Sequence, residues 1–161
     1  MDKEQIEIKK SIAVNILLII GIIMTIWDPK INNIPMNCLP TIIFLIVYLK
    51  KDNPLQVFLN IAILGMCAII LNNFIFLFIM KFVLALSMMT LIRLLESQNI
   101  NYIAKGALIV FISTLLNCII FSFMRPIPYF YQLLTIALPR AAINGLLITI
   151  LFIGFKFYKK K

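Results

Sequence analysis

Asn37-Cys-Leu-Pro-Thr-Ile-Ile-Phe-Leu-Ile-Val-Tyr-Leu-Lys-Lys51 decides how this chain is organised. Its uncharged part, residues 37–49, is short for a membrane crossing, which takes about 20 apolar residues, or about 17 at the short end. Pro35 and Pro40 stand at its start, so it is either a short span or a broken helix buried against protein, the form in which irregular backbone is tolerated at depth. The pair Lys50-Lys51 closes it. Five more apolar stretches lie to either side, roughly 11–27, 55–71, 74–94, 106–124 and 132–155, each bounded by polar residues. If residues 37–49 and 55–71 do not cross, Lys50 and Lys51 are stranded on the far side from the other cations. With six crossings they fall into line.

Composition fixes the solvent. The chain has 161 residues, 63% of them hydrophobic and 13% charged, with a mean hydropathy of +1.06. A soluble domain carries about 45–50% apolar and about 25% charged residues. So much apolar surface cannot be hidden inside one small globule. A soluble enzyme, a disordered tail and a secreted disulfide scaffold are excluded, and lipid surrounds most of the chain. The start, Met1–Lys10, mixes acids with lysines, and no small-residue cleavage site follows Trp27, so the first stretch reads as a retained helix rather than a signal peptide.

The net charge of +9 is an orientation signal. With the N-terminus in the cytoplasm, Lys3, Lys9, Lys10, Lys50, Lys51, Arg93, Lys105, Lys156, Lys159, Lys160 and Lys161 fall inside, and only Lys30 and Arg125 outside. Eleven against two is a strong positive-inside bias. Trp27, Tyr129 and Tyr131 then mark the outer interface and Tyr48, Tyr102 and Tyr158 the inner one. The expectation is a single all-α polytopic membrane domain over 1–161, with about six transmembrane helices and both termini inside. The cations lie between apolar runs and form no basic soluble module, so nucleic acid is not the partner.

Two cations remain within spans, Lys81 in the fourth and Arg140 in the sixth, both in the outer half. Ionisable side chains at such depth are costly and mark functional positions. No Asp or Glu lies in any span. Lys81 and Arg140 therefore either line an outward-opening anion-binding cavity or snorkel to the headgroups. Arg140 has telling neighbours. Ala137, Ala141, Gly145 and Thr149 repeat every four residues and let another helix approach closely. Asn144 lies one turn from Arg140, and Pro139 takes an N–H from the helix and kinks it. Ser113, Thr114 and Asn117 in the fifth span, with Asn15 and Asn60, read as interhelical glue or a ligand pocket. Partner- or ligand-binding candidates are thus Arg140, Asn144, Pro139, Lys81, Ala141 and Gly145. With no histidine, and with Cys38, Cys67 and Cys118 far apart, neither a metal nor another cofactor is expected. The sequence offers no catalytic triad, paired carboxylates or phosphate loop, so no enzyme is expected.

Three stretches resemble the rod shape-determining protein MreD family: residues 37–50, with their Pro-led start and Tyr-basic end; the fourth span running into Leu91-Ile-Arg93-Leu-Leu-Glu96; and Leu138-Pro139-Arg-Ala-Ala-Ile-Asn144-Gly-Leu-Leu with its basic tail. The layout is similar along nearly the whole chain. It departs in Gly65-Met-Cys-Ala-Ile-Ile-Leu-Asn72-Asn73, which lacks the acid many members carry there. The resemblance implies a non-catalytic scaffold of the bacterial inner membrane that binds MreC within the cell-wall elongation complex, alongside MreB, RodA and a penicillin-binding protein. It also implies a fold similar to the S components of energy-coupling-factor transporters. A vitamin-binding S component is the alternative reading. Such subunits often dock through an Ala-x-x-x-Ala stripe on the first helix, whereas here Ala13 is followed by Leu17. A partner helix or an anionic lipid headgroup is the expected occupant beside Lys81 and Arg140.

Overall fold

Proline has no N–H to leave unmet, so a helix begins easily around it. Helix α2 (Leu39–Leu49) begins in this way, with Pro40 in its first turn. The computed structural model describes residues 3–26, 30–31, 34–35, 37–72, 75–122 and 133–158. Around α2 stand α1 (Lys3–Ile26), α3 (Pro54–Asn72), α4 (Ile75–Glu96) and α5 (Tyr102–Ser122), followed by a π-helical turn (Leu133–Ala137) that leads into α6 (Leu138–Tyr158). Between α1 and α2, two-residue strands β1 (Lys30–Ile31) and β2 (Ile34–Pro35) pair antiparallel, Ile31 opposite Ile34. That pairing is the one departure from an all-helical chain among the described residues.

Five helices, α1, α3, α4, α5 and α6 with its leading turn, are long and apolar enough to cross a membrane. The molecule is a multi-pass helical membrane protein. Two helices begin earlier than the apolar runs suggest, at Lys3 rather than 11 and at Tyr102 rather than 106. Helical hydrogen bonding does not stop at the hydrocarbon edge. Before α5, Asn101 accepts the Ile103 N–H on its side chain (3.0 Å) and the Lys105 N–H on its carbonyl (2.9 Å), capping a polar first turn. Trp27, Asp28, Tyr129, Tyr131, Arg125 and Lys159, Lys160 and Lys161 lie outside the described residues.

The eleven-residue α2 occupies the centre. It touches all five other helices, and Leu39–Phe44, Ile46 and Val47 are buried. A helix that is apolar all round needs such a position. Protein encloses it where lipid would otherwise meet its ends, which is why it can be shorter than its neighbours.

Polar contacts at its two ends give its direction. Asn37 Nδ2, just before α2, donates to the Met24 carbonyl near the end of α1 (3.2 Å). Lys50 Nζ, just after α2, reaches Glu7 near the start of α1 (3.4 Å). The two helices are therefore antiparallel, and α2 with its flanking side chains runs the height from Met24 to Glu7. Glu7 also pairs with Lys10 (3.1 Å). Lys51 Nζ meets Glu96 at the end of α4 (2.8 Å), a bond that holds the Lys51 ammonium above its ordinary pKa, and Lys105 Nζ reaches the Glu96 carbonyl (3.4 Å). One end of the bundle thus gathers Lys10, Lys50, Lys51 and Lys105, with Arg93 and Lys156 in the last turns of α4 and α6. A cavity of about 190 Å³ opens there between Val47, Met89 and Ile92, rimmed by Lys51, Asp52, Arg93 and Glu96.

Close approaches join the outer helices. A Cβ at Gly65 on α3 would clash with Phe78 Cδ2 on α4, and one at Gly106 on α5 would sit 2.6 Å from Phe152 Cε2 on α6. Phe152 carries Tyr48 and Tyr102 against its ring, with centroids 5.7 and 5.8 Å away. These two tyrosines sit at the cation-rich end, at the same face as Lys50, Lys51 and Lys105.

Candidate functional site

The four N-terminal N–H groups of a helix have no partner within it. Asn144 supplies part of that need for α2 from across the bundle. Its Oδ1 accepts the Thr41 hydroxyl at 2.7 Å and the Thr41 N–H at 3.3 Å. Its Nδ2 donates to the carbonyls of Asn37 (3.2 Å) and Arg140 (2.9 Å), and its own carbonyl accepts the Thr41 hydroxyl at 3.3 Å. Asn37 Oδ1 accepts the Leu39 N–H (2.9 Å), Pro40 has none to offer, and Ile42 N–H bonds back to Cys38 (3.1 Å). The N–H groups of residues 39–42 are thus accounted for, and the same network ties α1, α2 and α6 together through Met24, Asn37, Thr41 and Asn144. Asn144 is 1% exposed. A buried amide with this bonding is a structural clamp, not a free contact for a partner.

Ala141 and Gly145 are buried too. The helix their stripe admits is α5 of the same chain: a Cβ at Gly145 would lie 3.5 Å from the Ala107 carbonyl and 3.7 Å from Phe111 Cβ. Thr149 bonds to the Gly145 carbonyl within α6 (2.9 Å). Pro139 stands in the first turn of α6, directly after the π-helical turn. Since Pro139 cannot donate to residue 135, the α-helical ladder breaks there, and the wider turn takes the place of the mid-helix kink expected from the sequence.

The cations have a different environment. Lys81 lies six residues from the start of α4, about 9 Å along the axis, and is 8% exposed. Its stem is therefore covered by the bundle, as it would be beneath a head that reaches for the headgroups or for an internal anion. Arg140 is close enough for the two like charges to interact across the bundle. Among the described residues neither has a carboxylate partner, and Arg140 Nε is buried with no hydrogen bond. The antiparallel packing of Gly145 against Ala107 and Phe111 places Arg140, one turn along, level with Ser113 and Thr114 on α5. Ser113 Oγ, Thr114 Oγ1 and Asn117 Oδ1 are likewise buried without partners. The result is a polar patch between α5 and α6, on the far side of the Asn144 clamp from the cation-rich end, with the Lys81 charge on α4 adding to its positive field. Two cations and two hydroxyls offer donors suited to an anion.

Of the candidates, then, the structure sets Arg140 level with the α5 hydroxyls, leaves Lys81 as a second cation within reach of its charge, and assigns Asn144, Ala141 and Gly145 to internal packing. Asn37 and Thr41 are the polar residues that sequence reading passed over. The available signal is the type of residue: an asparagine side chain readily accepts the N–H two residues on, a turn that leads into a helix. Taken together, fold and site define a helical membrane bundle with a central capped helix and a cationic patch in one half. No protein-family model, curated protein or solved structure matches the chain.

Proposed function

We propose that the protein is a non-catalytic scaffold of the bacterial inner membrane that resembles MreD, binds an MreC-like protein and takes part in cell-wall elongation. The observation that supports this reading is the use of the interior polar groups. Asn37, Thr41 and Asn144 fasten three helices into one frame, which favours a fixed platform for partners. Lys81 and Arg140 then provide the polar contact for a partner's carboxylate or an anionic lipid headgroup. Arg140→Ala should reduce retrieval of the MreC-like partner at least several-fold with expression unchanged; retrieval equal to wild type would rule out this role for Arg140.

The second reading, an S component that binds a vitamin-sized anion, is favoured by the unpartnered Ser113, Thr114, Asn117 and Arg140 atoms. It predicts a stoichiometric small molecule that co-purifies with the protein in mild detergent. Crosslinking to an MreC-like protein in a ligand-free preparation would favour the scaffold.

A further inference from the structure

Helix α1 packs against α2 and α3 with Val14, Leu18 and Gly21 turned inward. Beside that buried face runs a second stripe, Ile8, Ile12, Asn15, Ile19, Ile22 and Ile26, spaced alternately four and three residues apart, of which Ile22 is half-buried against the chain's own core. Four of its isoleucines, at 8, 12, 19 and 26, are between 54% and 63% exposed. Asn15 in its middle is exposed as well, and no hydrogen bond joins it to any described residue. Antiparallel pairing of α1 with α2 sets Asn15 level with the middle of α2, well inside the hydrocarbon. An amide turned toward lipid there lacks the water that would satisfy it, and interhelical hydrogen bonding is its usual remedy.

We propose that this stripe is a self-association surface, on which α1 of a second copy docks in parallel and Asn15 bonds to Asn15 of that copy. Three observations specify a second copy as the occupant. The 3.5-residue spacing is that of a helix–helix seam with a single polar core position, a device that fixes register. An amide both donates and accepts, so it complements itself across a two-fold axis. Two copies inserted in the same sense also hold residue 15 at the same depth. The inner face of α1 is occupied by its own bundle, so a partner helix meets α1 on this flank. The inference is independent of the scaffold reading, since self-association needs no MreC-like protein.

The test uses the full chain with Cys38, Cys67 and Cys118 replaced by Ala, reconstituted in phosphatidylethanolamine–phosphatidylglycerol vesicles. Ile19→Cys, on the stripe, should form a disulfide-linked dimer on mild oxidation. Ile20→Cys, exposed on another side of α1, should not. With the native cysteines present, Asn15→Leu should weaken dimerisation measured by energy transfer about 3- to 30-fold, whereas Asn15→Gln, which keeps the amide, should largely preserve it. Both variants keep α1 apolar enough to insert, and unchanged monomer elution in detergent would verify their fold. Equal crosslinking at 19 and 20, a monomeric wild type in vesicles, or an Asn15→Leu dimer as tight as wild type would each overturn the proposal.

Discussion

Asn144 illustrates how one side chain can hold a fold together by bonding at once to its own helix and to a stretch more than 100 positions away. Its amide is engaged at both ends, with the Thr41 hydroxyl at 2.7 Å and the carbonyls of Asn37 and Arg140. Asn144→Leu keeps the volume and removes the bonds, leaving the Thr41 N–H and the Asn37 carbonyl buried without partners. The expected cost is about 1–3 kcal/mol, read from unfolding in mixed micelles. Thr149→Val is the control. Its hydroxyl bonds only to the carbonyl one turn back on its own helix, so the change should be close to neutral. The sequence flagged Arg140 and Asn144 because polar residues in an apolar run are visible to inspection. It did not reveal what Asn144 does, because Thr41 lies 103 positions away and no local rule reaches that far.

Among the elements, the five long helices were legible from apolar run length, and their order and approximate extents match the sequence expectation. The short one was not resolved by that criterion. Residues 37–49 carry too few apolar residues for a lipid-facing span, and their role emerges only when five neighbours are seen to surround them. The helix contacts offer a second, sharper test. Gly65 and Gly106 each face a phenylalanine ring with no room for a methyl group. Gly65→Val should force Phe78 out of place and destabilise the protein by about 1–3 kcal/mol. Gly154, also helical, has open space around its Cα. Gly154→Ala should be neutral or raise the midpoint slightly, because alanine favours a helix by about 0.5–1 kcal/mol. Thermal denaturation of both variants in one detergent tests the contrast, and equal midpoints would mean that the α3–α4 contact yields easily.

At the scale of the whole molecule, the charge asymmetry read from the sequence reappears as geometry: Lys10, Lys50, Lys51 and Lys105 gather at one end of the bundle, held by Glu7 and Glu96. The positive-inside rule predicts that this end faces the cytoplasm. Gln98→Cys, placed in the turn after α4 in a background without the native thiols, should resist a membrane-impermeant maleimide in intact cells and react once they are permeabilised. Labelling of intact cells would reverse the orientation. The position of α2 also has a bearing on biogenesis. The helix enters the membrane roughly a hundred residues before the side chain that caps it has been synthesised, and most of its apolar surface waits for neighbours that come later in the chain. Until α6 arrives, the future centre of the protein is a short segment with an unmet N–H at Thr41 and little hold on the bilayer. Ribosome-bound intermediates ending before Asn144 should therefore leave α2 accessible to aqueous labelling, and the last helix to insert closes the structure around the second.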